Sequence, residues 1–154
     1  MNLHHDALVL VTDGHASGSI LLSVEAVSAR NGNFAVEMIG APAAETFTGG
    51  RLDDILTGGG NDRLIGGRGS DMLTGGAGND SFVYVRGEID GDIILDFQGA
   101  GVAGGDVLVL TGFGSCATLS NDGEIWTVTY GAGLTESFEI AGVTSLGAGE
   151  VIFG

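Results

Sequence analysis

The chain has 154 residues, and 20 Asp plus Glu stand against 5 Arg and no Lys, for a formal net charge of −15. That length fits one domain with short extensions, and that charge excludes nucleic acid and anionic membrane as partners while favouring cations. Thirty glycines exclude a helical bundle, since each interior Gly costs a helix about 1 kcal/mol; a 44% hydrophobic content excludes plain disorder, and a single Pro with no Gly at every third position excludes collagen.

At the N-terminus, MNLHHDALVLVTDG lacks the basic segment and apolar core of a secretory signal. No run approaches the ~18 apolar residues that would span a membrane. An exported protein of this kind would need a route that does not read this end. Apolar runs at Ala7–Val11, Ile20–Val24 and Phe34–Ile39 read as strands, separated by Asp-Gly, Gly-Ser and Asn-Gly turn signals. Residues 1–39 are predicted to form an N-terminal β cap. His4, His5 and Asp6, with His15 nearby, have transition-metal chemistry, but a solvated terminus explains them more simply.

A nine-residue period follows. Residues 66–74 read GGRGSDMLT and 75–83 read GGAGNDSFV, after GGRLDDILT at 49–57 and TGGGNDRLI at 57–65. The last two share Thr57, so one step is eight residues. GAPAAETFT at 40–48 is a degenerate copy. Acids recur at Glu45, Asp54, Asp62, Asp71 and Asp80, each followed two residues later by Phe47, Leu56, Leu64, Leu73 or Phe82. Eleven Gly lie between residues 49 and 78.

The Gly-rich half of each unit predicts a turn, because Gly accepts positive φ and lets carbonyls converge without a Cβ in the way. The second half predicts a three-residue strand with the large apolar side chain pointing inward. One such unit buries nothing, but stacked units build an internal ladder. Two turns and two strands close a coil of about 18 residues, which sets Asp54 over Asp71 and Asp62 over Asp80. Carboxylates at a strand spacing of roughly 4.8 Å repel unless a cation lies between them. Carboxylates and carbonyls are all-oxygen ligands, which suit Ca²⁺ better than Mg²⁺; transition metals want His or Cys, and the repeats have neither.

These units resemble the G-G-x-G-x-D-x-U-x nonapeptides (U, large apolar) of RTX, or repeats-in-toxin, proteins. Residues 66–83 match every defined position; residues 49–65 match with Leu52 in place of a Gly and one deletion. The resemblance implies an all-β, right-handed parallel β-roll over residues 40–91, with ions held between turns one coil apart. It implies one site from Gly50, Leu52, Asp54, Gly66, Arg68 and Asp71, and a second from Gly58, Gly60, Asp62, Gly75, Ala77 and Asp80. A third would pair the Glu45 turn with Thr57, Gly59 and Asp62. Residues 92–110, DIILDFQGAGVAGGDVLVL, are similar to the segment that follows such arrays. One or more of Asp92, Asp96 and Asp106 is thereby expected to close a last site with Gly67, Gly69 and Asp71. The ending FEIAGVTSLGAGEVIFG, 138–154, looks like the C-terminus of type I-secreted RTX proteins.

Residues 92–154 are expected to form a C-terminal β cap, with strands near 107–110, 125–130, 137–140 and 150–153 and Trp126 in its core. Asp53, Glu136 and Glu139 read as solvated surface. Cys116, the single cysteine, rules out an intrachain disulfide and reads as a small buried residue. Thr48, Thr57 and Thr74 suggest an ice-binding ladder only weakly, since Ile65 and Val83 interrupt it. Zinc-protease, nucleophile-elbow and phosphate-loop motifs are missing, so no enzyme is expected. The expected function is a secreted Ca²⁺-binding module that folds on ion binding and serves as a structural or interaction scaffold, such as a surface-layer or fibre subunit. The alternatives are an auxiliary module of a larger secreted epimerase, lipase or protease, and a glycan-binding adhesin module. The expected partners are calcium ions, further copies of the chain, or a polysaccharide.

Overall fold

Each nonad folds as a turn followed by a short strand, and in the three central repeats the strand has three residues of which only the middle side chain is fully buried. These strands are Ile55–Thr57, Arg63–Ile65 and Met72–Thr74. A computed structural model describes residues 7–12, 17–22, 26–28, 35–99 and 105–154. His4, His5, Asp6 and His15, with the Asp13-Gly14 and Asn31-Gly32 turn signals, lie outside them.

The strands are β1 (Ala7–Thr12), β2 (Ser17–Leu22), β3 (Ala26–Ser28), β4 (Ala35–Ile39), β5 (Thr46–Thr48), β6 (Ile55–Thr57), β7 (Arg63–Ile65) and β8 (Met72–Thr74). They continue as β9 (Ser81–Val85), β10 (Ile93–Ile94), β11 (Val107–Thr111), β12 (Thr118–Asp122), β13 (Ile125–Tyr130), β14 (Leu134–Ile140) and β15 (Val151–Phe153). No helix occurs among the described residues. From β3 to β11 successive strands alternate between two sheets. The first sheet runs β12-β13-β14-β10-β8-β6-β4-β1-β2 and the second β15-β11-β9-β7-β5-β3. Pairing is parallel from β4 to β14 in the first sheet and throughout the second. This is a parallel β-roll.

Register builds the core directly from the repeat. Met38, Leu56, Leu73, Ile94 and Ile140 face one another along the first sheet; Phe47, Leu64, Phe82 and Leu108 do so along the second. All nine are fully buried. Burying one such side chain contributes about 1.5–3 kcal/mol, so the ladder stabilises a coil whose strands are too short to stand alone.

The first sheet ends on both sides in antiparallel strands. β1 pairs with β2 and β4 at one end, and β12, β13 and β14 form a meander at the other. Trp126 is buried there, and its indole N–H donates to the Val143 carbonyl at 3.2 Å. Three expectations are corrected. Gly18-Ser19 lies within β2 rather than in a turn. Cys116 is exposed, because it falls in the turn before β12 and outside the core. Glu136 is buried, because β14 alternates and Glu136 shares the inward face of Phe138 and Ile140. Thr57 and Thr74 face each other in the first sheet, but Thr48 belongs to the second and is buried, so the three form no common ladder.

Candidate metal centre

The acids of the repeat form two ladders, one along each turn edge. On one edge the Asp54 N–H donates to Asp71 Oδ1 at 2.8 Å, and the Asp71 N–H donates to Asp92 Oδ1 at 2.9 Å. The Val36 N–H continues this ladder to Asp54 Oδ1 at 2.8 Å. On the other edge Glu45 donates to Asp62, Asp62 to Asp80 and Asp80 to Asp106, each from its backbone N–H to Oδ1 at 2.8 Å. Each carboxylate thus fastens the start of a strand one coil away. Except for the Glu45 terminus, the ladder residues are nearly inaccessible aspartates: Asp54, Asp62, Asp71, Asp80, Asp92 and Asp106.

The second carboxylate oxygens divide by turn length and glycine content. Residues 66–71 and 75–80 match the nonapeptide pattern fully, and there Gly67, Gly69, Gly76 and Gly78 adopt positive φ. In those turns Asp71 Oδ2 and Asp80 Oδ2 have no hydrogen-bond partner, and Asp92 Oδ2 has none either. Between β6 and β7 one residue is missing. That shorter turn folds back on its own acid, so Asp62 Oδ2 accepts from Gly59 N–H at 2.7 Å and Gly60 N–H at 3.0 Å. In the turn that carries Leu52, Asp54 Oδ2 accepts from Gly50 N–H at 2.5 Å.

Around these acids the turns stack as the spacing predicts. Arg68 N–H donates to the Gly50 carbonyl at 3.1 Å, and Gly69 lies so close to Leu52 that a Cβ there would sit 2.7 Å from the Leu52 carbonyl oxygen. Gly66 directs its carbonyl at Gly49. On the other edge Gly75 directs its carbonyl at Gly58, where a Cβ would sit 2.6 Å away, and Gly78 packs on the Gly60 carbonyl, with Ala77 between Gly76 and Gly78 in the same turn. Gly59 and Gly60 pack against the Ala41 and Ala43 carbonyls of the Glu45 turn, while the Thr57 carbonyl accepts from Gly40 N–H at 2.6 Å. The three later acids separate. Asp92 joins Asp71, beside the turn of Gly67 and Gly69. Asp96 and Asp106 go to the opposite edge instead, because the chain crosses to the second sheet after β10. Asp96 accepts from Gly75 and Gly76 N–H, both at 2.8 Å, and Asp106 Oδ2 accepts from Gln98 N–H at 2.7 Å.

Burial is the largest influence on these carboxyls. It raises Asp71 to about 7, Asp80 to about 6 and Asp92 to about 8, against an ordinary 3.8, with neighbouring carboxylates adding to the rise. It raises Asp54 and Asp106 as well. A buried acid held this far from its ordinary value needs a proton or a cation. Among the described residues no three His, Cys, Asp or Glu side chains group together as metal ligands. A bound cation would therefore draw most of its ligands from backbone carbonyls. Free carboxylate oxygens and inward carbonyls, with no nitrogen or sulfur donor, fit a hard divalent ion of high coordination number.

Two features escaped the sequence reading. Glu136 accepts from Gly87 N–H at 2.8 and 3.0 Å and from the Tyr130 hydroxyl, with Arg86 5.7 Å from the Tyr130 ring centre. Its signal was the alternation in Glu136-Ser137-Phe138-Glu139-Ile140. Tyr84 is a fully buried tyrosine whose hydroxyl has no partner; its place two residues after Phe82 marks the ring as inward, but nothing in the local sequence marks the hydroxyl as unpaired.

Stacked parallel turns, an inward apolar ladder and carboxylates paired along both edges define a calcium-type β-roll. Residues 57–87 match the family model of the RTX calcium-binding nonapeptide repeat, a unit of four copies. The chain carries an RTX array, and RTX nonapeptides bind Ca²⁺. The degenerate copies at 40–56 lie outside the match. No curated protein matches the chain.

Proposed function

We propose that this protein is a secreted calcium-dependent scaffold whose roll orders when its stacked acids are bridged. The observation that carries the reading is the set of buried, unpartnered oxygens at Asp71, Asp80 and Asp92. When bound, a calcium ion supplies positive charge and oxygen-seeking coordination between the turns. Asp54 and Asp71 with the carbonyls of Gly50, Leu52, Gly66 and Arg68 would hold one ion; Asp62 and Asp80 with those of Gly58, Gly60, Gly75 and Ala77 would hold another. Asp71 with Asp92 would hold a third. The Glu45 turn, with its carboxylate already on Ala41 N–H, is a weaker candidate.

Unbridged, the turns must order many glycines while bringing like charges together in a chain of net charge −15. Ions that bind only the folded state contribute RT ln(1 + [L]/Kd), about 2.7 kcal/mol per site at one hundred times Kd. Extracellular calcium modules bind with Kd of about 10⁻⁴–10⁻³ M, so such a chain stays loose in a calcium-poor cytoplasm and folds outside. RTX repeat proteins are typically secreted by type I systems, and the repeat itself is typically a non-catalytic calcium-binding module, which supports both secretion and a structural role here. The outer face of the first sheet supports an interaction role. Ile55 and Met72 stand exposed in register there, with Ile39 and Leu95 exposed nearby, and such apolar patches serve contacts between proteins.

Circular dichroism with added Ca²⁺ or Mg²⁺ tests the coupling, and size-exclusion chromatography tests the scaffold. The reading expects β structure with Ca²⁺ only, and assembly that appears with it. Full β structure in chelator at neutral pH contradicts the coupling; a strict monomer in both states contradicts the scaffold.

A further inference from the structure

The unmet demand of the acid ladders concentrates at one point. Asp71 and Asp92 are joined through one carboxylate oxygen, and each leaves its Oδ2 buried and without a partner. The Tyr84 hydroxyl is the other buried orphan of this neighbourhood. Tyr84 projects inward from β9 of the opposite sheet and is only 1% exposed. Its ring packs on Phe138 of β14 with centres 4.6 Å apart. Glu139, next to Phe138, donates its N–H to the Asp92 carbonyl at 2.8 Å, and Tyr84 stands near the end of β9, which leads into the turn that carries Asp92. A phenylalanine would make the same ring contact without burying an unpaired hydroxyl, so packing alone does not account for a tyrosine. The other acids differ: Asp54, Asp62 and Asp106 place Oδ2 on backbone N–H groups, and Asp80 lies on the opposite edge.

We propose that Tyr84 belongs to the ion site between Asp71 and Asp92: its hydroxyl meets the free Oδ2 atoms from the core side and makes this the tightest site of the array. The inference rests on the calcium reading above. The aromatic contact with Phe138 also ties that site to the C-terminal meander.

Tyr84→Phe removes the hydroxyl and keeps the ring. In calorimetric titration of the full chain with Ca²⁺, the variant should lose about tenfold in affinity at one site and leave the others unchanged. A second measurement avoids altering Tyr84. Tyr84 and Tyr130 are the only tyrosines; ¹³Cζ labelling gives two resonances, assigned with Tyr130→Phe. Exchanging Ca²⁺ for Sr²⁺ should shift the Tyr84 resonance and leave that of Tyr130 in place. A Tyr84→Phe titration identical to wild type, or a Tyr84 resonance indifferent to the ion, overturns the proposal while the calcium reading stands. If Tyr84→Phe fails to reach the wild-type β spectrum, the resonance decides alone. Wild-type protein that binds no Ca²⁺ overturns both.

Discussion

Asp71 is engaged from both sides, accepting from Asp54 N–H and donating its own N–H to Asp92. Asp53, one residue from the ladder, is exposed and makes a single bond to Ser70 N–H. Asp71→Ala should therefore raise the Ca²⁺ midpoint for folding by tenfold or more, while Asp53→Ala shifts it little; equal shifts would contradict the assignment of Asp71. The same burial fixes a pH dependence. Asp80, Asp71 and Asp92 titrate near 6, 7 and 8 in the folded chain against 3.8 for the ordinary group. Raised acids make the calcium-free roll bind protons that the unfolded chain releases. That stabilisation is fully present below about pH 3.8 and is lost as pH rises through about 6 to 8. In calcium-free buffer, β content measured by circular dichroism should fall across that window, and saturating calcium should abolish the fall. A calcium-free β content that rises with pH would contradict the burial of these acids.

Among the turns, two glycines separate conformational need from space. Gly69 has φ +123° with Leu52 against it, whereas Gly123 has φ +64° with nothing within 4 Å. An alanine at either position is strained by about 1–3 kcal/mol. Only at Gly69 would it also push a stacked turn away, so Gly69→Ala should destabilise the calcium-bound protein clearly more in urea unfolding. Equal losses would mean the turns do not pack as described. The strands and their inward residues were legible because a period of nine with fixed apolar positions leaves one way to stack. The partition of the later acids was not legible, because it depends on which edge the chain reaches after β10. The burial of Glu136 was legible in principle from the period of two in β14, but its charge argued for solvent. The differing fates of Oδ2 were hidden for another reason: they follow from one missing residue near Thr57 and one Leu at position 52.

Over the whole molecule, one sequence device is used twice. The apolar ladder holds the interior, the acid ladders hold the two edges, and antiparallel strands extend both ends of the first sheet. The interior alone does not settle the folded state of a chain with a net charge of −15 whose buried edges are acidic. Thermal unfolding should therefore move upward continuously with calcium concentration, and far less with magnesium, since mass action on several sites adds to a modest core. Leu64→Ala, which empties a fully buried rung, should cost about 2–5 kcal/mol in calcium without changing the number of ions bound. The most direct measurement is anomalous diffraction from crystals grown in calcium. The account predicts calcium peaks between Asp54 and Asp71, between Asp71 and Asp92, and between Asp62 and Asp80. Ordered turns without a peak between any of these pairs, at saturating calcium, would contradict it.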